Sequence, residues 1–71
     1  MKVTTVQVDK LLKQEMVFTQ FGFAMLIGRL RGIYAKDSSN ETLQGATDEV
    51  NRYIDKFQSL MMYDFDTIKN L

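Results

Sequence analysis

A chain of 71 residues with no cysteine, no histidine and zero net charge makes one small domain. Those two absences exclude disulfides, the usual zinc ligands, and thiol or imidazole catalysis. With 45% apolar residues the chain suits a folded protein, yet a domain this short is marginal alone, so a partner subunit is the expected source of extra stability.

The first element opens at "VTTVQV". Alternation of Val6 and Val8 about Gln7 admits a short strand, but a helix start explains the same residues better. Thr4 as N-cap with Gln7 three residues on makes a capping box, and Val3 with Val8 occupies the positions of a hydrophobic staple. Apolar residues then keep helical time through Val8, Leu12, Met16, Phe23, Leu26, Leu30 and Ile33, with Thr19 in the same register. A second stripe runs Leu11, Phe18, Gly22, Met25, Gly28 or Arg29, and Gly32. Between Met16 and Ile27 only Thr19 and Gln20 are polar, so a helix here is apolar all round and needs cover on more than one side. The longest apolar run, Phe21 to Ile27, falls far short of the ~20 residues of a membrane span. No signal peptide is read at the start, and a cysteine-free chain fits a cytoplasmic location.

"KDSSNE" follows, a cluster of turn and capping residues in which Ser38 with Glu41 forms a second capping-box pattern and Asn40 is another cap. A second helix carries Leu43, Ala46, Val50, Ile54, Phe57, Met61, Phe65, Ile68 and Leu71 at steps of three and four. Asp64 and Asp66 can cap a separate final helix after a bend at Tyr63, but a continuous helix is favoured. The expected organisation is therefore one helical domain over residues 1–71, with helix 1 at about 5–35, a turn at 36–41 and helix 2 at about 42–71. Each helix would be about 40–46 Å long at ~1.5 Å per residue. The fold class is all-α: an antiparallel two-helix hairpin, self-associating into a four-helix bundle or higher helical oligomer because one hairpin cannot enclose a core.

Within helix 1, Ala24, Gly28 and Gly32 lie four apart on one face. Each glycine costs a helix about 1 kcal/mol relative to alanine, and such a stripe lets another backbone approach closely. A phosphate-binding loop would need a preceding strand and more glycine between; a locally loose helix is the plainer alternative. Phe18, Phe21 and Phe23 splay round the helix, and with Met25 and the adjacent Met61 and Met62 they are candidates for an oligomer or partner interface, although core filling is the commoner use of methionine.

Charge is segregated. Residues 1–36 carry six basic side chains against two acidic, a balance of +4, and residues 37–71 carry three against seven, a balance of −4. The plain reading is two elements that lie side by side; the sharper one is a face for a charged partner. Arg29 and Arg31 stand about 200° apart on a helix. Each is either a solvated side chain, one of them pairing with an acid of helix 2, or a contact for an anionic ligand.

No serine or threonine stands in a nucleophile setting, and with histidine absent only carboxylates and lysines could act as bases. A carboxylate-bridged metal site needs acids on facing helices, which helix 1 lacks after Asp9 and Glu15. Neither catalysis nor a cofactor or metal is expected.

Ile27, Leu30, Arg31, Glu49, Val50, Ile54 and Phe57 match in type a pattern that resembles the small sporulation-type aspartyl-phosphate phosphatases, which are helical hairpins. Thr47, Asp48 and Asn51 depart from it, and Asn51 replaces the acid that the signature keeps. The resemblance implies no more than action by docking on another protein.

The expected function is that of a small non-catalytic regulator, inhibitor or adaptor, of the kind phages and mobile elements encode, that occupies a partner protein's surface and forms homo-oligomers. Three alternatives remain. A nucleotide or similar small anion could bind at a subunit interface. A nucleic-acid-binding regulator would use Lys10, Lys13, Arg29, Arg31 and Lys36, which zero net charge disfavours. A structural subunit would build large assemblies.

Overall fold

The computed structural model describes residues 2–71, and every structural statement below concerns those residues. The fold is all-helical, without strands: α1 (Thr5–Lys13), α2 (Phe21–Lys36), α3 (Asn40–Phe57), a short 3₁₀ turn (Gln58–Leu60) and α4 (Met62–Lys69). Its longest dimension is 31 Å, too short for either of the two long helices that the periodicity predicts. Both are interrupted, the first at 14–20 and the second at 58–61.

The predicted start of α1 forms as the sequence implies. Gln7 N donates to Thr4 Oγ1 (3.2 Å) and Thr4 N donates to Gln7 Oε1 (2.9 Å), which closes the capping box. Val3 and Val8, the staple positions, are both buried. Val3 is also gripped from afar: its N–H donates to Asn51 Oδ1 (2.8 Å) and its carbonyl accepts from Asn51 Nδ2 (3.1 Å). Asn51, noted in the sequence only as a departure from a pattern, is thus a clamp on the N-terminal segment.

The break after Lys13 corrects the continuous first helix. Gln14 adopts extended geometry, and the last carbonyls of α1 find a donor in Arg31. Its Nε donates to Leu12 O (3.1 Å) and its Nη2 to Leu11 O (3.1 Å) and to Gln14 O. A guanidinium here satisfies helix-end acceptors and complements the negative end of the helix dipole. At the other end of the break the buried carboxylate of Asp64 receives Thr19 N (2.7 Å), Thr19 Oγ1 (3.0 Å) and Gln20 N (3.0 Å). The segment thereby exchanges intrahelical bonds for partners on α2 and α4. The gain is a fold in which α1, α2 and α3 all pack on one another, so that one chain encloses its own core. The premise that copies must come together to shield Met16–Ile27 is corrected accordingly: Phe23 and Ile27 are buried within the chain, and Met16, Phe18 and Leu26 pack partly against the core.

The core comprises Val3, Val8, Leu11, Leu12, Phe23, Ile27, Leu30, Tyr34, Ala46, Val50, Ile54, Met61 and Ile68. On α2 the inward residues are Phe23, Ile27, Leu30 and Tyr34, not the Leu26 and Ile33 of a stripe phased from α1, because the break resets the helical register. Between α2 and α3 the turn 37–39 matches the polar cluster read from sequence. Ser39, rather than Ser38, is the N-cap, accepting from Thr42 N (3.2 Å). Cross-contacts run in opposite order along the two helices: Gln20 meets Tyr53, and Arg29 meets Glu49. The two therefore lie antiparallel. Helix α4 begins at Met62 rather than at a bend beyond Tyr63. Asp64 does not cap it but turns inward to α2. Lys10 Nζ donates to Leu71 O (3.2 Å), which ties the C-terminus to α1.

Candidate functional site

The outward face of α2 is where the structure leaves apolar side chains without intrachain duties. With Phe23, Ile27, Leu30 and Tyr34 facing the core, the opposite side of the helix carries Phe21, Met25, Gly28, Gly32 and Ala35, again at steps of four and three. Phe21 is 77% exposed and Met25 62%, and Val17 just upstream is 93% exposed. No charged residue falls on that line. Arg29 flanks it on the α3 side and is paired with Glu49.

The helix that presents this face is rigidly mounted. Gln20 caps it, accepting from Phe23 N (2.7 Å) and from the Tyr53 hydroxyl. The Asp64 carboxylate receives the preceding amides. Burial, and then the nearby Asp64 charge, push the Tyr53 hydroxyl above its ordinary pKa, so it stays a donor to Gln20 across the neutral range. Gly22 leaves room here: a Cβ would collide with the Tyr53 hydroxyl and force it off its bond to Gln20. A line of rings, Phe18, Phe23, Tyr53 and Phe57, backs the mount, with centroids 4.9, 5.7 and 4.6 Å apart. At the far end of α2, Tyr34 donates to Asp9 (2.7 Å). That bond, together with Lys13, holds the Asp9 carboxyl below its usual range; the same bond and burial push the Tyr34 hydroxyl up.

The sequence-predicted site residues divide. Ala24, Gly28 and Gly32 do line one side of α2, but not a seam between helices of this chain: an added Cβ at Gly28 or Gly32 would meet nothing within 4 Å. Phe21, Met25 and Met62 are exposed and Phe18 is half-buried. Phe23 and Met61 are fully buried, which corrects their placement at an interface, since their side chains complete the chain's own core. Arg31 is corrected as an anion contact because its guanidinium is spent on the α1 carbonyls. Arg29 takes the plainer of its two readings and pairs with an acid of the second half of the chain. Of the cations named for nucleic acid, Lys10, Lys13, Arg29 and Arg31 are each bonded within the chain.

Sequence reasoning missed Asp64, Asn51 and Gly22 as fixing points. Nothing local marks them; each acts on a residue more than 25 positions away. It also missed a shallow groove between α2 and α3, lined by Leu26, Tyr53 and Phe57 with Glu49, Arg52 and Lys56 at its rim. Lys56 lies over the Phe57 ring, 5.5 Å from its centroid. Further exposed apolar side chains, Leu60, Met62 and Tyr63, flank Met61 and Asp64. Since Asp64 bonds Thr19 and Gln20, they share an end of the molecule with Val17 and Phe21. Among the described residues no helix is long and apolar enough to cross a membrane, and no three acids cluster as metal ligands.

Comparisons with protein-family models, with curated proteins and with solved structures each find no match.

Proposed function

We propose that this chain is a small non-catalytic binding protein that regulates, inhibits or bridges a partner protein by docking the outward face of α2 on it. One observation carries the reading: Phe21 and Met25 stand exposed in line on a helix that Gln20, Tyr53 and Asp64 hold in place, with Val17 exposed just before it. Large apolar side chains on a preorganised support are good anchors, because little freedom is lost on binding. The chain's own core is complete without them, so their exposure has no folding reason. Self-association through the same face belongs to this reading, as does a cytoplasmic setting, which the cysteine-free composition favours.

The test is affinity capture from lysate of the source organism, with wild type and the Phe21→Asp/Met25→Asp variant as baits. Wild type is expected to hold a stoichiometric partner that the variant releases, while circular dichroism and thermal melting of the two baits agree. Equal retention by both, or recovery of bait alone, removes the reading.

The groove between α2 and α3 supports a second one. Arg52 and Lys56 beside Tyr53 and Phe57 suit a small anion with an aromatic ring, and they replace Arg29 and Arg31 as its contacts. A nucleotide at 100 times its dissociation constant would raise stability by about 2.7 kcal/mol, which a thermal-shift screen detects. No shift with any nucleotide disposes of it.

A further inference from the structure

We propose that the occupant of the α2 face is a second copy of this chain, docked α2 against α2 in antiparallel order about a two-fold axis that passes between Met25 and Gly28. The proposal rests on the docking reading above and names the partner.

The line of outward residues has its bulk at one end and its space at the other. Phe21 and Met25 are large and exposed; Gly28 and Gly32 are bare, with nothing of the chain within 4 Å of where their Cβ would sit. A two-fold axis midway between Met25 and Gly28 sets Phe21 against the partner's Gly32 and Met25 against the partner's Gly28. The reciprocal contacts follow by symmetry, as an isologous interface requires. Every large side chain then meets a glycine, over ~16 Å of helix. A parallel arrangement would stack Phe21 on Phe21 and leave the glycines facing each other across a void, so the antiparallel order is selected by packing.

Electrostatics do not oppose the pairing. The chain has zero net charge, the line itself is uncharged, and the flanking Arg29 is neutralised by Glu49. Antiparallel helices also align their dipoles favourably. Within the chain the two glycines serve no close contact, although each weakens the helix that carries it. Close approach of a second backbone gives them a use. A contact confined to two sixteen-residue helices lies near or below the ~1,200 Å² lower bound of standard interfaces. The pair is therefore a reversible dimer that dilution separates.

Sedimentation equilibrium from about 1 μM to about 1 mM, the span in which small interfaces dissociate, reads the outcome. Wild type is expected to pass from monomer to dimer and no further. Gly32→Phe sets a ring against the partner's Phe21 and should weaken the dimer at least tenfold. The double variant Phe21→Ala/Gly32→Phe again gives each ring a small neighbour and should restore most of the association. Both positions are open to solvent in the monomer, so the variants fold, and unchanged far-ultraviolet dichroism checks this. A wild type that stays monomeric throughout overturns the proposal, as does a dimer indifferent to Gly32→Phe or one that the double variant fails to recover. A monomeric wild type whose captured partner is still released by Phe21→Asp/Met25→Asp overturns the pairing and leaves the docking reading standing. A dimer that obeys the swap in a chain that captures no other protein supports the pairing, while the regulator reading fails.

Discussion

Two segments interrupt the helices of the first forty residues, and they do so by different means. The turn at 37–39 is made by its own residues: Asp37, Ser39 and Thr42 bond one another, and Ser39 caps the helix that follows. The segment at 14–20 has only one such local bond, the Gln20 cap on α2. It is held open by Arg31 at one end and Asp64 at the other, 17 and 45 positions away from the groups they bind. A turn built locally survives isolation from the fold. One built by distant side chains exists only while the fold does, and its loss dissolves the arrangement of α1 on α2.

The largest effect expected from this contrast is that of Asp64→Ala. The substitution takes the acceptor from the part-buried amides of Thr19 and Gln20 and from the Thr19 hydroxyl and leaves a hole where a buried side chain stood, at a cost of about 2–3 kcal/mol measured by urea unfolding. Arg31→Met comes next. It keeps much of the side chain's bulk but frees three carbonyls at the end of α1, which water partly recovers, so about 1–3 kcal/mol is expected. Arg31→Lys should recover less than half, since one ammonium cannot reproduce the fork. A loss below 0.5 kcal/mol for either residue, on the order of an ordinary surface change, would end the claim that distant groups hold the segment. For the local turn, Ser39→Ala should cost about 1 kcal/mol, the usual value of an N-cap.

The smallest effect is with pH. Hydrogen bonds from Thr42 and Ser39 hold the Asp37 carboxyl below its ordinary range. The stabilisation this brings is complete above the unfolded value of ~3.9 and disappears as pH falls through the lower folded value. Stability of the wild type should therefore drop more between ~pH 5 and ~pH 2 than that of Asp37→Asn. Parallel acid profiles for the two proteins would contradict the assignment. Asp9, held low by Tyr34 and Lys13, acts with the same sign in both and cancels in the comparison.

What could be read from sequence follows the same division. The capping box of Thr4 and Gln7, the polar turn and the all-helical class rest on neighbours in the chain, and they are visible there. Helix extents are not. From Val8 to Ile33 the apolar spacing permits one unbroken helix, and nothing near Val17 or Thr19 forbids it strongly. The alternative wins through Asp64, Arg31 and the burial of Leu11 and Leu12 against a second element. Once the register restarts at Phe21, Ile27 and Tyr34 face inward in place of Leu26 and Ile33. Of the proposed surface, Phe21, Met25, Gly28 and Gly32 were legible as residues to watch, because size and helical spacing are local properties. Phe23 and Met61 were not separable from them, since an aromatic or methionine looks the same in sequence whether a neighbour covers it or not.

The fit of Gly22 against the Tyr53 hydroxyl has a consequence for how this protein tolerates change. In a saturation library selected for folding alone, codon 22 should remain glycine while codons 28, 32 and 45 drift freely toward alanine and other good helix formers. Were the same library selected for biological activity and codons 28 and 32 also stayed fixed, the constraint would have to come from a molecular surface that this single chain does not contain.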